Sequence, residues 1–139
     1  MRDIISVGEV LIDLTQTGTT DQGIPAFAAN PGGAPANVAV AAARLGAETA
    51  FFGKVGRDSF GAYLRRVLEE NGVDCSGLRT GSQPTTLAVV SVDSRGERDF
   101  QFIRGADCTL SPEEVDEEAL GRTKFLHFGS VSLTAGLER

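Results

Sequence analysis

The sequence predicts an α/β domain, and three observations carry that expectation. Short apolar runs alternate with longer segments of helical spacing. Each of the first two helical segments is closed by a glycine, Gly46 and Gly72. A pair of strands around a polar turn interrupts the alternation late in the chain, a β excursion within an otherwise α/β order.

Taken in order, residues 4–7 are a short apolar run ended by Gly8 and read as a buried strand. Residues 10–14 continue extended or turning. Residues 15–22, polar and rich in Gly and Thr, read as loop or edge strand. Asn30-Pro31-Gly32-Gly33 is a breaker cluster. Pro35 then suits a helix's first turn, where its missing N–H costs nothing. The helix that follows carries Ala36, Val38, Ala39, Val40 and Leu45, is apolar nearly all round, and is expected to be buried on more than one side.

Residues 49–52 read as the second strand. Asp58 and Ser59 can cap a helix with Phe60, Leu64, Val67 and Leu68 on one face, stopped by Asn71-Gly72. Residues 85–92 and 99–103 read as strands joined by a turn at 93–96, with Phe100 and Phe102 alternating with polar neighbours. Such phenylalanines are more often core than ligand platform. Ser111-Pro112-Glu113-Glu114 has the capping-box pattern and opens an acidic, solvated helix. Residues 124–128 form a last strand, and residues 129–139 have the composition to start another helix. No repeat, low-complexity tract or linker interrupts the 139 residues, which suffice for one domain.

A net charge of −6 argues against a nucleic-acid surface and against an anionic lipid face. No apolar run approaches the ~20 residues that span a bilayer, and the first residues lack a signal-peptide pattern. Cys75 and Cys108 have no metal-ligand spacing and read as plain buried thiols in a cytoplasmic protein.

Chemistry concentrates in two places. Gly32 and Gly33 precede a helix start, where backbone N–H groups are unpaired and a ligand can approach closely. Asn37 lies early in that apolar helix; it either bonds a neighbouring loop or holds a hydroxylated ligand, and the residue alone does not choose. Asp13, in the apolar run Val10-Leu11-Ile12-Asp13-Leu14, suits two hydroxyls as a bidentate acceptor, although alone a turn or cap carboxylate is the simpler reading. Neither a G-x-x-x-x-G-K-[ST] nor a G-x-G-x-x-G pattern is present. His127, the sole histidine, reads as a satisfied core residue, and no metal site is assigned.

Gly32-Gly33-Ala34-Pro35-Ala36-Asn37-Val38-Ala39, followed by Gly46 and Gly56, resembles the first signature of PfkB-type (ribokinase-like) carbohydrate kinases. So do, in order, Gly8-Glu9-Val10-Leu11-Ile12-Asp13, the block from Gly53 to Gly61, Pro84-Thr85-Thr86, Ala106-Asp107 and His127-Phe128-Gly129-Ser130. Asn30-Pro31-Gly32-Gly33-Ala34-Pro35 looks most like fructokinases. Phe102 and Arg104 lie in a segment similar to the lid strand of fructokinases and of 2-keto-3-deoxygluconate kinases. In the latter an Arg at the position of Arg104 holds the substrate's acid group, and that acid and ribose stay open as substrates.

The resemblance implies the amino-terminal part of a Rossmann-like α/β/α core with a small β lid, from about residues 15–29 and 85–104, through which many relatives pair as homodimers. It implies transfer of the ATP γ-phosphoryl group to a sugar hydroxyl with Mg²⁺. Asp13, Gly32, Gly33, Asn37, Phe102 and Arg104 would bind the sugar, and lid closure would exclude water. The family's catalytic Asp, in a Gly-Ala-Gly-Asp block, has no counterpart here. No catalytic residue is therefore assigned, the 139-residue chain alone is expected to be inactive, and its half-sheet is expected to expose apolar edges and faces. Outside the kinases, a non-catalytic sugar-binding module is the alternative, whereas the missing glycine fingerprint speaks against a dehydrogenase.

Overall fold

Two four-stranded sheets divide the molecule. The computed structural model describes residues 1–129 and 131–134. Strands β1 (Ile4–Val7), β4 (Thr49–Gly56), β5 (Leu78–Gly81) and β8 (Phe125–Phe128) form a parallel sheet in the order β5-β4-β1-β8. Strands β2 (Leu11–Thr19), β3 (Pro25–Gly32), β6 (Leu87–Val92) and β7 (Arg98–Ile103) form the second, in the order β3-β2-β6-β7. There β2 and β6 run parallel, and each has an antiparallel outer neighbour.

Strands β1 and β4 of the parallel sheet have cover on both faces, as hydrophobic parallel strands require. Helices α1 (Ala34–Arg44) and α2 (Ser59–Glu70) lie on one face, where Ala36, Ala39, Phe51, Val55, Leu64 and Leu68 form the main core. On the other, Ile5, Ala50 and Phe52 meet Val115, Ala119 and Leu120, the last two on the short helix α3 (Glu117–Gly121). The expected α/β/α layering is thus present.

Local signals placed several elements well. Asp58 caps α2, its carboxylate accepting from the Gly61 N–H at 2.8 Å, and the helix ends at Asn71 before Gly72 at φ +80°. The β6–β7 turn closes through the Gly96 N–H to the Asp93 carbonyl.

Other expectations are corrected. Residues 15–19 are strand, continuing β2 from Leu11, but only Thr15 pairs on both sides; residues 16–19 pair with β3 alone, so the edge-strand reading holds there, and residues 21–22 are turn. The breaker cluster runs within strand β3 as far as Gly32; Pro25 and Pro31 are tolerated there because β3 is an edge strand. Helix α1 buries one side only: Pro35, Ala36 and Ala39 are buried, while Ala34, Asn37 and Ala41 form an exposed stripe. The capping box at Ser111 serves one 3-10 turn, Pro112–Glu114, because Asp116 caps a new helix. Within that acidic run Glu114 is engaged rather than solvated, with both carboxylate oxygens on the Lys54 ammonium at 2.7 and 2.8 Å.

Phe100 and Phe102 are not core residues: both are exposed and pack edge-to-face at 4.7 Å. His127 is half-buried, its Nδ1 buried without a hydrogen-bond partner among the described residues. Cys75 is buried, which pushes its thiol up to about 11, whereas Cys108 is half-buried; neither is bridged. The expected exposure of apolar surface is seen at β8, where Phe125, Leu126 and Phe128 stand open. In the expected final helix only a 3-10 turn, Val131–Leu133, falls among the described residues; residues 130 and 135–139 lie outside them. No helix is long and apolar enough to cross a membrane among the described residues.

Candidate functional site

In an open parallel sheet, ligands bind beyond the carboxyl ends of the strands where the strand order reverses. Here that point is β1, with β4 and β5 on one side and β8 on the other. The chain leaves β1 through Gly8 and enters the second sheet at once, so the lid begins beside the switch point. Helix α1 starts there too. A Cβ on Gly8 would lie 2.7 Å from the Pro35 Cγ, and one on Gly129, after β8, would also strike Pro35. Gly33 is the N-cap of α1, at φ +105°, with no side chain capping the first turn. A side chain at Gly33 would meet the Glu9 carbonyl at 2.5 Å, so glycine is required for both conformation and space. The uncapped N–H groups of that turn are donors for ligand oxygens.

Asp13 faces this corner from the lid. Strand pairing aligns Asn30, Asp13, Ala88 and Phe102 in one row across all four strands. Residues paired in register share a face, and neighbouring strands lie ~4.8 Å apart, so Asp13 and Phe102 are roughly 10 Å apart on one surface. Ala88, between them in the row, is fully buried. Gly32 is explained by the same geometry: a Cβ there would collide with the Asp13 carboxylate. Burial pushes the Asp13 carboxyl above its ordinary value. Hydroxyl donors would relieve that desolvation.

The other expected residues are placed unequally. Asn37 lies in the first turn of α1, its backbone N–H bonded to the Gly33 carbonyl, but its side chain is exposed. It lines a groove of about 200 Å³ with Pro31 and Leu64. The cost of burying its amide therefore does not arise. Arg104 lies at the root of the lid, where its Nη2 donates to the Asp107 carboxylate at 2.8 Å.

Two buried acids escaped the sequence reading as functional groups. Glu9, only 1 % exposed, accepts from the Ser132 hydroxyl at 2.5 Å and so joins the start of the lid to the loop after β8. Asp107, 7 % exposed, accepts from Thr86 and Arg104. The available signal was a carboxylate flanked by small or apolar residues, in Gly8-Glu9-Val10 and Ala106-Asp107-Cys108. Among the described residues no group of three or more His, Cys, Asp or Glu converges to hold a metal ion.

A parallel sheet joined at its switch point to a second, mixed sheet defines the class of fold, the ribokinase-like one. Comparison with known proteins gives the family. The model of the pfkB family carbohydrate kinases matches residues 1–139, and the chain belongs to that family. It is similar to probable fructokinase-4 of Arabidopsis thaliana, 46 % identical over 136 residues, which covers 94 % of this chain and 41 % of the relative. The chain thus spans about two fifths of the length of the curated relatives it matches. The crystal structure of fructokinase from Xylella fastidiosa superposes with a TM-score of 0.91 at 37 % identity, over 99 % of this chain and 44 % of that one. A putative ribokinase II from E. coli, solved in complex with ATP and Mg²⁺, superposes with a TM-score of 0.86 at 30 % identity, over 99 % and 46 %.

Proposed function

We propose that this chain is the sugar-binding part of an ATP-dependent sugar kinase whose acceptor is fructose. The observation that carries the reading is Asp13, held against Gly32 beside the uncapped start of α1 at the switch point of the sheet. Asp13 accepts two sugar hydroxyls, the α1 N–H groups and Asn37 bind others, and Phe102 covers an apolar ring face. Holding the sugar in one pose directs a single hydroxyl at the phosphoryl donor, and the lid excludes competing water. ATP and Mg²⁺ supply the transferred group and the charge neutralisation. Within that reaction, residues 1–139 supply the sugar-binding share.

Arg104 favours a neutral sugar over a sugar acid, because Asp107 already neutralises much of its charge. Similarity to fructokinases supports the same choice. The lid leaves the outer edges of β3 and β7 without a strand partner among the described residues and exposes Val92 and Phe100, which supports pairing of two lids as a homodimer. A buried, protonated Cys75 thiol suits a reducing, cytoplasmic setting.

The test is a coupled ATP assay on the full-length protein with fructose, 2-keto-3-deoxygluconate and ribose. Fructose should show the highest kcat/KM; a preference for the acid or for ribose would replace it as substrate, and activity with none would leave a sugar-binding protein. Sedimentation of the same sample tests the dimer.

A further inference from the structure

The lid joins the core at two consecutive threonines, and each meets a carboxylate. Thr85 bonds Asp58, the cap of α2: its N–H donates at 2.8 Å and its hydroxyl at 2.7 Å. Thr86 turns the other way and donates its hydroxyl to the buried Asp107. The Thr86 hydroxyl in turn accepts from the Gly105 N–H at 2.7 Å. The second carboxylate oxygen of Asp107 holds Arg104 at 2.8 Å.

These bonds close the base of the β6–β7 ribbon. Thr86 precedes β6, whereas Arg104, Gly105 and Asp107 follow β7. The Ala106 N–H bonds the Pro84 carbonyl at 2.8 Å, and a side chain at Gly105 would strike that same carbonyl, so the two ends of the ribbon touch. Asp107 also borders a cavity of about 250 Å³ beyond the ends of β1 and β8, with Gly8, Gly129 and Ser132. It therefore stands where the lid root, the sheet and the sugar corner meet. Further out, the ribbon lacks such cover, and Val92, Phe100 and Phe102 are exposed. A buried carboxylate with a hydroxyl on one oxygen and a guanidinium on the other has fixed geometry, because releasing either partner leaves a desolvated charge.

We propose that Asp107 is a positioning residue that pins the root of the lid through Thr86 and, by the same carboxylate, aims Arg104 at the sugar. The second half rests on the reading of Arg104 as a sugar contact; the first does not. Asp107 itself needs no contact with substrate.

The test uses the full-length protein with Asp107→Asn, Arg104→Ala, the double variant and Thr86→Val, which cuts the same link from the lid side should Asp107→Asn fold poorly. Asp107→Asn and Thr86→Val should speed amide hydrogen exchange across residues 87–103 while β1 and β4 keep their protection. Asp107→Asn should raise the sugar KM roughly tenfold, with kcat and the KM for ATP little changed. In the Arg104→Ala background it should add almost nothing, since one residue acts through the other. Unchanged lid exchange in both single variants overturns the pin, and multiplying KM effects overturn the aiming of Arg104. If the wild type phosphorylates no sugar, the functional reading fails, and the exchange data still decide whether Asp107 pins the lid.

Discussion

The two sheets are held by different physics. Strands β1 and β4 of the parallel sheet are held by apolar burial on both faces, with Ile5 and Phe51 almost entirely removed from water, whereas the outer strand β8 is open. The lid sheet has one face of Ile12, Leu14 and Leu87 against that core, but its opposite face carries Asp13 and Phe102, and its far end is exposed. Apolar contact is dense and non-directional, so the core resists displacement. The lid depends on register and on a few polar bonds at its root. The second sheet's position is thus set by directional bonds rather than bulk packing, as in the less stable parts of a molecule.

The most severe test of this contrast is Phe51→Ala, which should cost about 3–5 kcal/mol and unfold the whole molecule in chemical denaturation. A loss confined to one sheet would break the comparison. Next in size, Asp13→Asn in the full-length protein should lower kcat/KM for fructose on the order of 100-fold, close to 2.7 kcal/mol, because an amide offers one acceptor oxygen instead of two. The same change should raise stability at neutral pH. Burial raises the folded-state value of Asp13, so its favourable contribution is present at acid pH and is lost as pH rises through that value. Denaturation midpoints at pH 7 with and without fructose would separate the two effects.

Asp58→Ala should cost about 1–2 kcal/mol, combining a lost helix cap with the bond to Thr85. Burial pushes the Asp58 carboxyl up, but hydrogen bonds from Thr85 and Gly61 outweigh it and hold the group below its ordinary value. The Lys54 bond, against a smaller desolvation, does the same for Glu114. Their stabilisation is therefore present above the ordinary carboxylate range and is lost as pH falls through the lowered values. A pH titration of stability should show this loss below about pH 4 in the wild type, and a smaller loss in Asp58→Ala. The smallest effect belongs to Phe100→Ser, within about 0.5 kcal/mol in the isolated chain because the ring is exposed. A larger loss in the full-length protein at high concentration would show that Phe100 is covered there, as lid pairing requires.

Much of the core could be read from the sequence because its signals are local. The Asp58 cap, the Asn71-Gly72 stop and the 93–96 turn depend on residues a few positions apart, and each forms as expected. Strands β3 and β5 were not legible in their residues. Pro25, Pro31 and Gly32 argue against a strand until an edge position removes the need for every N–H, and the four residues of β5 are strand only because β4 lies beside them. Helix α1 misled for the opposite reason: small apolar residues imply burial, whereas the fold covers one side only.

The sequence by itself determined an acidic α/β chain with a β excursion, a glycine-led small-residue helix and an Asp in an apolar strand, and through the order of its motifs the family. Only the tertiary structure decided that Asp13 faces Gly32 and shares a row with Phe102, that Asn37 is exposed, and that Arg104 is held by Asp107. The physical reason is distance along the chain. Caps and turns are settled within a few residues, but strand register and the meeting of Thr86 with Asp107 bring together distant segments, as far apart in sequence as the paired Ile4 and Phe125, and no short stretch encodes which partner will be there.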